Sequence, residues 1–261
     1  MAKLSPVVFT AHGNPMNALG GTPFAAFLGE WGQSLPLPRA VLCVSAHWER
    51  PRLAVTAGER PDTVHDFYGF PEDLYRLRYP APGSPALAVR VRELLVASGQ
   101  GCNLEPGRGL DHGAWSPLLH LFPRADVPVV QLSLPLGASM ASHLEIGKAL
   151  APLRMEGVLV LGSGNLVHNL RTADLRHRDR DVAEWARRFD EWVATRLAVW
   201  DLDALASPWF AMPDGRLAHP SLEHYAPLLV ACGAAGAGPA VSFPFEGFEH
   251  GTLSMRCVQM D

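Results

Sequence analysis

Seven short apolar runs constrain this chain more than any other feature: 6–11, 40–46, 53–56, 127–133, 157–161, 240–243 and 253–258. Several are apolar at every position rather than alternating with polar residues. That is the pattern of strands covered on both faces, as in the parallel part of an α/β sheet. Between the runs lie helical patterns at 85–98, 116–122, 140–153, 181–200 and 221–232. The clearest is 181–200, where Val182, Trp185, Ala186, Phe189, Trp192, Val193 and Leu197 return at steps of three and four. Pro85 suits a first helical turn and Ser221 an N-cap. The fold class that follows is α/β: a single domain with a mixed, largely buried central sheet flanked by helices.

No Ser/Gly-rich or charged linker divides the 261 residues, so one domain over 1–261 is expected. The net charge of −4, with both signs interspersed, lacks the basic stripe of a nucleic-acid binder. No apolar run reaches the 18 residues of a membrane span, and the opening MAKLSPVVFTAHGNP has no signal-peptide core. Cys43, Cys102, Cys232 and Cys257 are scattered in or beside apolar stretches, with no C-x-x-C pair. Free buried thiols in a reducing compartment are the expectation, hence a cytoplasmic protein. The stretch 62–83, DTVHDFYGFPEDLYRLRYPAPG, is irregular and aromatic, and such a loop is expected to wall a pocket.

Position gives the eleven histidines their meaning. His12 ends the first apolar run (VVFTAH), His47 ends the second (VLCVSAH), and His168 follows the Gly-rich turn after a later one. Ligands of open α/β sheets sit beyond the carboxyl ends of strands, so the three can meet in one crevice. The alternative is that each imidazole caps a turn or fills a core hydrogen bond. His112, in GLDHGAWSP, is either a turn residue or a site residue, with Asp111 beside it to orient a ring. With Ser221 as N-cap, His224 of HPSLEHYAPLL lies in the first helical turn, where the dipole would keep it neutral for ligation. His120 and His143 read as structural, His177 as solvated, and His65 and His250 as loop residues able to line a pocket.

Neutral imidazole is the commonest ligand of Zn, Fe and Cu, and three of them leave a position open for substrate. Further histidines would supply an acid and a base near neutral pH. No G-x-S-x-G elbow, Walker loop or dinucleotide fingerprint is present, and GSGN at Gly162–Asn165 lacks the Lys of a phosphate loop.

The blocks AHGNP, SAHWE, HDFYGFPEDLYRLRYPAPG, GLDHGAWSPL, GSGNLVHNL and HPSLEHYAPLL, with FEGFEHGTLSM near the end, resemble one family in order and spacing. It is the DOPA-type class III extradiol ring-cleavage dioxygenases, related to the catalytic subunit of protocatechuate 4,5-dioxygenase. The resemblance implies an α/β domain with a metal at one end of its sheet. It implies His12, His47 and His224 as ligands, with His168 and His112 as acid/base residues and His168 close enough to be a fourth ligand. The implied partners are a catecholic substrate such as DOPA and O₂, with the ring cleaved beside one hydroxyl. Fe(II) is the expected cofactor, because O₂ needs a redox-active ion with an open position; Zn(II) would enter an all-histidine site readily. His65, Phe67, Tyr68 and Phe70 are expected to bind the substrate, and Arg76 and Arg78 are available for a substrate carboxylate. Glu223 beside His224 would point about 100° away on a helix, so both are not expected to ligate. Two other readings stand beside this one. A zinc-dependent hydrolase of an amide or ester could use the same histidines to activate water, and a protein that only binds a metal or small ligand is the third.

Overall fold

In a computed structural model, which describes residues 4–261, ten strands and nine α-helices are found among the described residues. The strands are β1 (Val7–Ala11), β2 (Ala40–Arg50), β3 (Leu53–Thr56), β4 (Cys102–Glu105), β5 (Val129–Pro135), β6 (Val158–Gly164), β7 (Val241–Phe245), β8 (Phe248–Glu249), β9 (Leu253–Ser254) and β10 (Cys257–Met260). The helices are α1 (Pro23–Ser34), α2 (Glu72–Arg76), α3 (Pro85–Ala97), α4 (His112–Leu121), α5 (Met140–Leu150), α6 (Glu184–Ala198), α7 (Leu202–Leu205), α8 (Gly215–Ala218) and α9 (Ala226–Ala235).

Eight strands form one mixed sheet in the order β4-β3-β5-β2-β6-β1-β10-β7. Its centre, β5-β2-β6-β1, is parallel, while β3 meets β5 and β10 meets β1 antiparallel. The continuous apolar runs have the cause expected of them. Val8, Val41, Cys43 and Leu161 pack with α1 and α4 on one face. Val7, Phe9 and Val160 pack with α6 and α9 on the other, and Leu42 and Val44 with α3, α5 and α9 beside them. All four cysteines are free and buried. No helix of the described residues is long and apolar enough to cross a membrane.

Several boundaries differ from the sequence reading. The run at 253–258 is two strands, β9 and β10, and β4 and α1 have no counterpart in that reading. Two glycines, Gly29 and Gly32, weaken the helical signal of α1, although Thr22 caps it and Pro23 opens it. The helix expected from 116 begins at His112, because the buried Asp111 caps it by accepting from the Ala114 amide. The helix expected at 221–232 is α9 at Ala226–Ala235, so Ser221 caps nothing and its hydroxyl donates to Glu223. Within 62–83, residues 72–76 form the short helix α2.

Candidate active site

The carboxyl ends of β1, β2 and β6 lie side by side, and each delivers part of one histidine cluster. His12 follows β1 directly, its amide donating to Gly164 O at 3.0 Å. His47 lies within β2, where the register against β5 shifts between Val44 and Glu49. Such an irregularity turns side chains out of the alternating pattern and commonly borders a site. His168 follows β6, its amide bonded to Ala218 O, while the Asn165 amide bonds to His224 O, so β6 holds the segment bearing His224 in place. Two glycines make this closure possible. A Cβ on Gly164 would run into the His224 carbonyl, and one on Gly113 would meet Ser45 Oγ and the His47 ring.

Hydrogen bonds assign the tautomers of His12 and His224. The Ser163 hydroxyl donates to Gly113 O at 2.5 Å, so its oxygen is left to accept from His12 Nδ1 at 3.1 Å. His47 Nδ1 faces Asp66 Oδ2 at 3.8 Å, and His224 Nδ1 donates to Glu223 Oε1 at 3.1 Å. In each ring Nδ1 faces an oxygen and Nε2 points to the common centre; with Nδ1 as donor, Nε2 is the acceptor in His12 and His224. His12 Nε2 and His47 Nε2 lie 3.0 Å apart, and the buried His224 Nε2 has no protein partner. Ligand atoms of the three rings all lie within 4.8 Å of one another.

Burial holds these imidazoles neutral. It pushes His12 and His224 well below the ordinary range and His47 down to about 3, with neighbouring histidine charges adding to the effect. For His224 this replaces the helix-dipole argument, since the residue precedes α9. The Nε2 atoms of His12 and His47 are close enough to share a proton, or to bind one cation together. A set of three neutral nitrogens with an orphaned buried acceptor fits a transition metal.

His168 and His112 flank this trio. The His168 ring lies flat on His224, centroids 3.4 Å apart and planes 8° apart. Burial, then the charges of His219 and His112, bring its pKa down to about 3. His112 opens α4, and Asp66 Oδ1 accepts from both its amide at 2.8 Å and its Nδ1 at 3.0 Å. Burial would raise the Asp66 carboxyl, but the His112 hydrogen bonds and the His112 and His47 charges outweigh it and hold it at about 2.

A cavity of about 390 Å³ opens over the cluster, and all five histidines line it with Phe67 and Phe70. Two residues expected there lie elsewhere. Tyr68 is 92% exposed, and His65 sits behind the wall near Trp115 with Nε2 on Leu77 O at 3.2 Å. Arg76 pairs with Glu72 on the surface, and Arg78 donates to Tyr75 O and Leu77 O. His250 is likewise outside the lining, its Nδ1 on Asp174 O. His120, His143 and His177 are occupied by Asn17 O, Ser139 O and Asp174 respectively.

The sequence reading missed Asp66 and Ser163, and it offered Asp111 to orient His112. Asp66 sits one residue from His65 inside a quoted block. Only the fold of the 62–83 loop onto α4, through Val64 N to Leu110 O and Trp115 Nε1 to Val64 O, brings it to His112. Glu223, set aside on helical geometry, adjoins His224 because the segment is not helical there.

The family model for the catalytic LigB subunit of aromatic ring-opening dioxygenase matches residues 17–254. A 4,5-DOPA dioxygenase extradiol of Escherichia coli (strain K12) is 43% identical over 258 residues, covering 98% of this chain and 94% of that one. One of Beta vulgaris is 40% identical, covering 94% and 92%. A crystal structure of an uncharacterized protein from Escherichia coli K12 superposes with a TM-score of 0.85 at 39% identity, over 98% of this chain and 100% of that one.

Proposed function

The chain belongs to the LigB family of aromatic ring-opening dioxygenases, an extradiol enzyme family, and on that footing we propose that it opens the ring of a catechol, DOPA among them, with Fe(II) held by His12, His47 and His224. The single observation that supports the ligand assignment is the convergence of the three rings: each Nδ1 faces an oxygen, ligand atoms of all three lie within 4.8 Å of one another, and His224 Nε2 is buried without a protein partner. When bound, a redox-active ion supplies Lewis acidity toward the catechol hydroxyls and the electron traffic that O₂ requires. Family membership sets aside the hydrolase and the binding-only readings.

The chain's own residues supply the rest. Phe67 and Phe70 enclose the aromatic ring, their own rings 5.4 Å apart and edge to face. His168, neutral and stacked on His224, receives a hydroxyl proton of the substrate on a ring nitrogen. Its ligand atom groups with those of Glu223 and His224 rather than with His12 and His47, and its ring lies flat on His224. His112 has Nδ1 committed to Asp66, so Nε2 is the atom it offers to the cavity. Both oxygen atoms enter the product as the ring C–C bond beside one hydroxyl breaks, so no outside reductant is needed. The whole chain acts as one catalytic unit.

The test is oxygen uptake by protein stripped of metal and reloaded anaerobically with Fe(II), run against DOPA and a catechol panel with zinc-loaded protein as control. Uptake with a new yellow chromophore, seen only with iron, is the expected result. No uptake with any catechol despite stoichiometric iron would refute the proposal.

A further inference from the structure

The cavity's charges point to the kind of catechol it admits. Its lining carries two carboxylates, Asp66 and Glu223, and no Lys or Arg among the described residues. The arginines suggested for a substrate carboxylate are directed elsewhere: Arg76 to Glu72, and Arg78 to backbone carbonyls. Asp66 Oδ1 is occupied twice by His112. Its Oδ2 faces His47 Nδ1 at 3.8 Å, whereas in Glu223 Oε1 accepts from both Ser221 and His224 and Oε2 has no protein partner. The rest of the wall includes Leu170, Leu175 and Leu253, and Leu170 and Leu175 are each 51% exposed.

A volume of about 390 Å³ holds more than a bare ring, so a substituent is expected to occupy it as well. An ammonium on that substituent meets the free oxygen of Glu223. A carboxylate on that arm meets two like charges and no Lys or Arg on the lining, and beside Leu170, Leu175 and Leu253 it loses hydration. We propose that this cavity selects catechols whose side arm ends in an ammonium or is uncharged, that Glu223 Oε2 receives the ammonium, and that a lone carboxylate on arm or ring is rejected. This rests on the catechol reading given above. An amino-acid arm satisfies it with the ammonium on Glu223 and its carboxylate toward the open mouth.

Calorimetric titration of zinc-loaded protein under nitrogen tests the proposal without turnover, using dopamine, ethylcatechol and dihydroxyphenylpropionate. Dopamine should bind about tenfold more tightly than dihydroxyphenylpropionate, with ethylcatechol between them. In Glu223→Gln, whose amide oxygen still accepts from His224, the advantage of dopamine over ethylcatechol should disappear. If that variant loses zinc, Leu175→Lys decides: a cation at this half-exposed wall position should bring dihydroxyphenylpropionate level with ethylcatechol. Equal affinities for all three in the unaltered protein would overturn the proposal. So would a dopamine advantage that survives Glu223→Gln with zinc retained, or a Leu175→Lys protein that still rejects the carboxylate. If ethylcatechol does not bind at all, the catechol reading itself falls, and this inference with it.

Discussion

The buried polar clusters around Asp190 and around His12 are built on opposite principles. Around Asp190 of α6 every strong group is matched: Oδ1 accepts from Ser254 Oγ at 2.6 Å, and Oδ2 accepts from Arg256 Nε at 3.0 Å and Nη2 at 2.6 Å. Arg256 continues to Glu246 at 3.0 Å and covers the Phe243 ring. At the carboxyl ends of β1, β2 and β6, histidine nitrogens face one another at 3.0 Å, and His224 Nε2 is buried with no partner. Buried polar groups are ordinarily satisfied. A complete network therefore holds the β8–β9 hairpin and the residue before β10 to α6, whereas the histidine cluster turns several ligand atoms toward one point and leaves His224 Nε2 without a partner. Burial does not separate the two clusters; the direction of the free atoms does.

The largest expected difference comes from removing one member of the incomplete cluster. His12→Ala should lower ring opening well over 100-fold, since even partners one step removed from a metal cost about 10- to 100-fold. Metal content measured by atomic emission should fall with it. The metal-free variant should melt somewhat lower than the metal-free unaltered protein, because a buried ring and its hydrogen bond to Ser163 have gone. Added zinc should then raise the melting temperature of the unaltered protein alone. A variant that keeps stoichiometric metal would break the comparison.

Asp190→Ala should do the reverse. Removing one side of a buried pair leaves an uncompensated guanidinium and costs about 3–5 kcal/mol of stability, measurable by urea unfolding. Metal stoichiometry of the molecules that remain folded should be unchanged. A loss of metal without loss of stability would show that the two clusters are not independent.

Asp66 sharpens the comparison from inside the site, because it touches both His112 and His47. If it acts by fixing His112, Asp66→Ala and His112→Ala should each lower kcat about 10- to 100-fold. The double variant should then be no worse than the poorer single one. Multiplying effects would instead assign Asp66 a second role through His47.

How much of this was legible depended on how local each signal is. The parallel core was readable because Val7–Ala11 and Val158–Gly164 are buried on both faces, and such burial writes itself into consecutive residues. The gathering of His12, His47 and His168 followed from one general property of such sheets, that strand ends share an edge. The start of α4 was misplaced, and with it the role of Asp111 as a cap rather than a partner of His112. Asp66 was invisible, since its meeting with His112 spans 46 residues and depends on how one loop lies on α4. Tyr68 and Phe67 are adjacent and aromatic alike, and only the turn of the backbone sends one outward and the other into the cavity.

The smallest effect concerns a histidine that resembles His224 in everything but direction. His219 stands five residues earlier and is equally buried, but its Nε2 is bonded to Leu166 O at 2.8 Å and it lies outside the cavity lining. Burial lowers its pKa from the ordinary 6.5 to about 4, partly offset by that carbonyl. Between those values the unfolded chain takes up a proton that the folded one refuses. The contribution is therefore complete above pH 6.5, and it is lost as pH falls toward the folded value. In urea unfolding at pH 7.5 and pH 5.5, the unaltered protein should lose about 1 kcal/mol more than His219→Gln does. The glutamine can still donate to Leu166 O but has no proton to gain. Equal losses in the two proteins would mean that acid sensitivity arises at other groups, and that His219 is protonated as readily folded as unfolded.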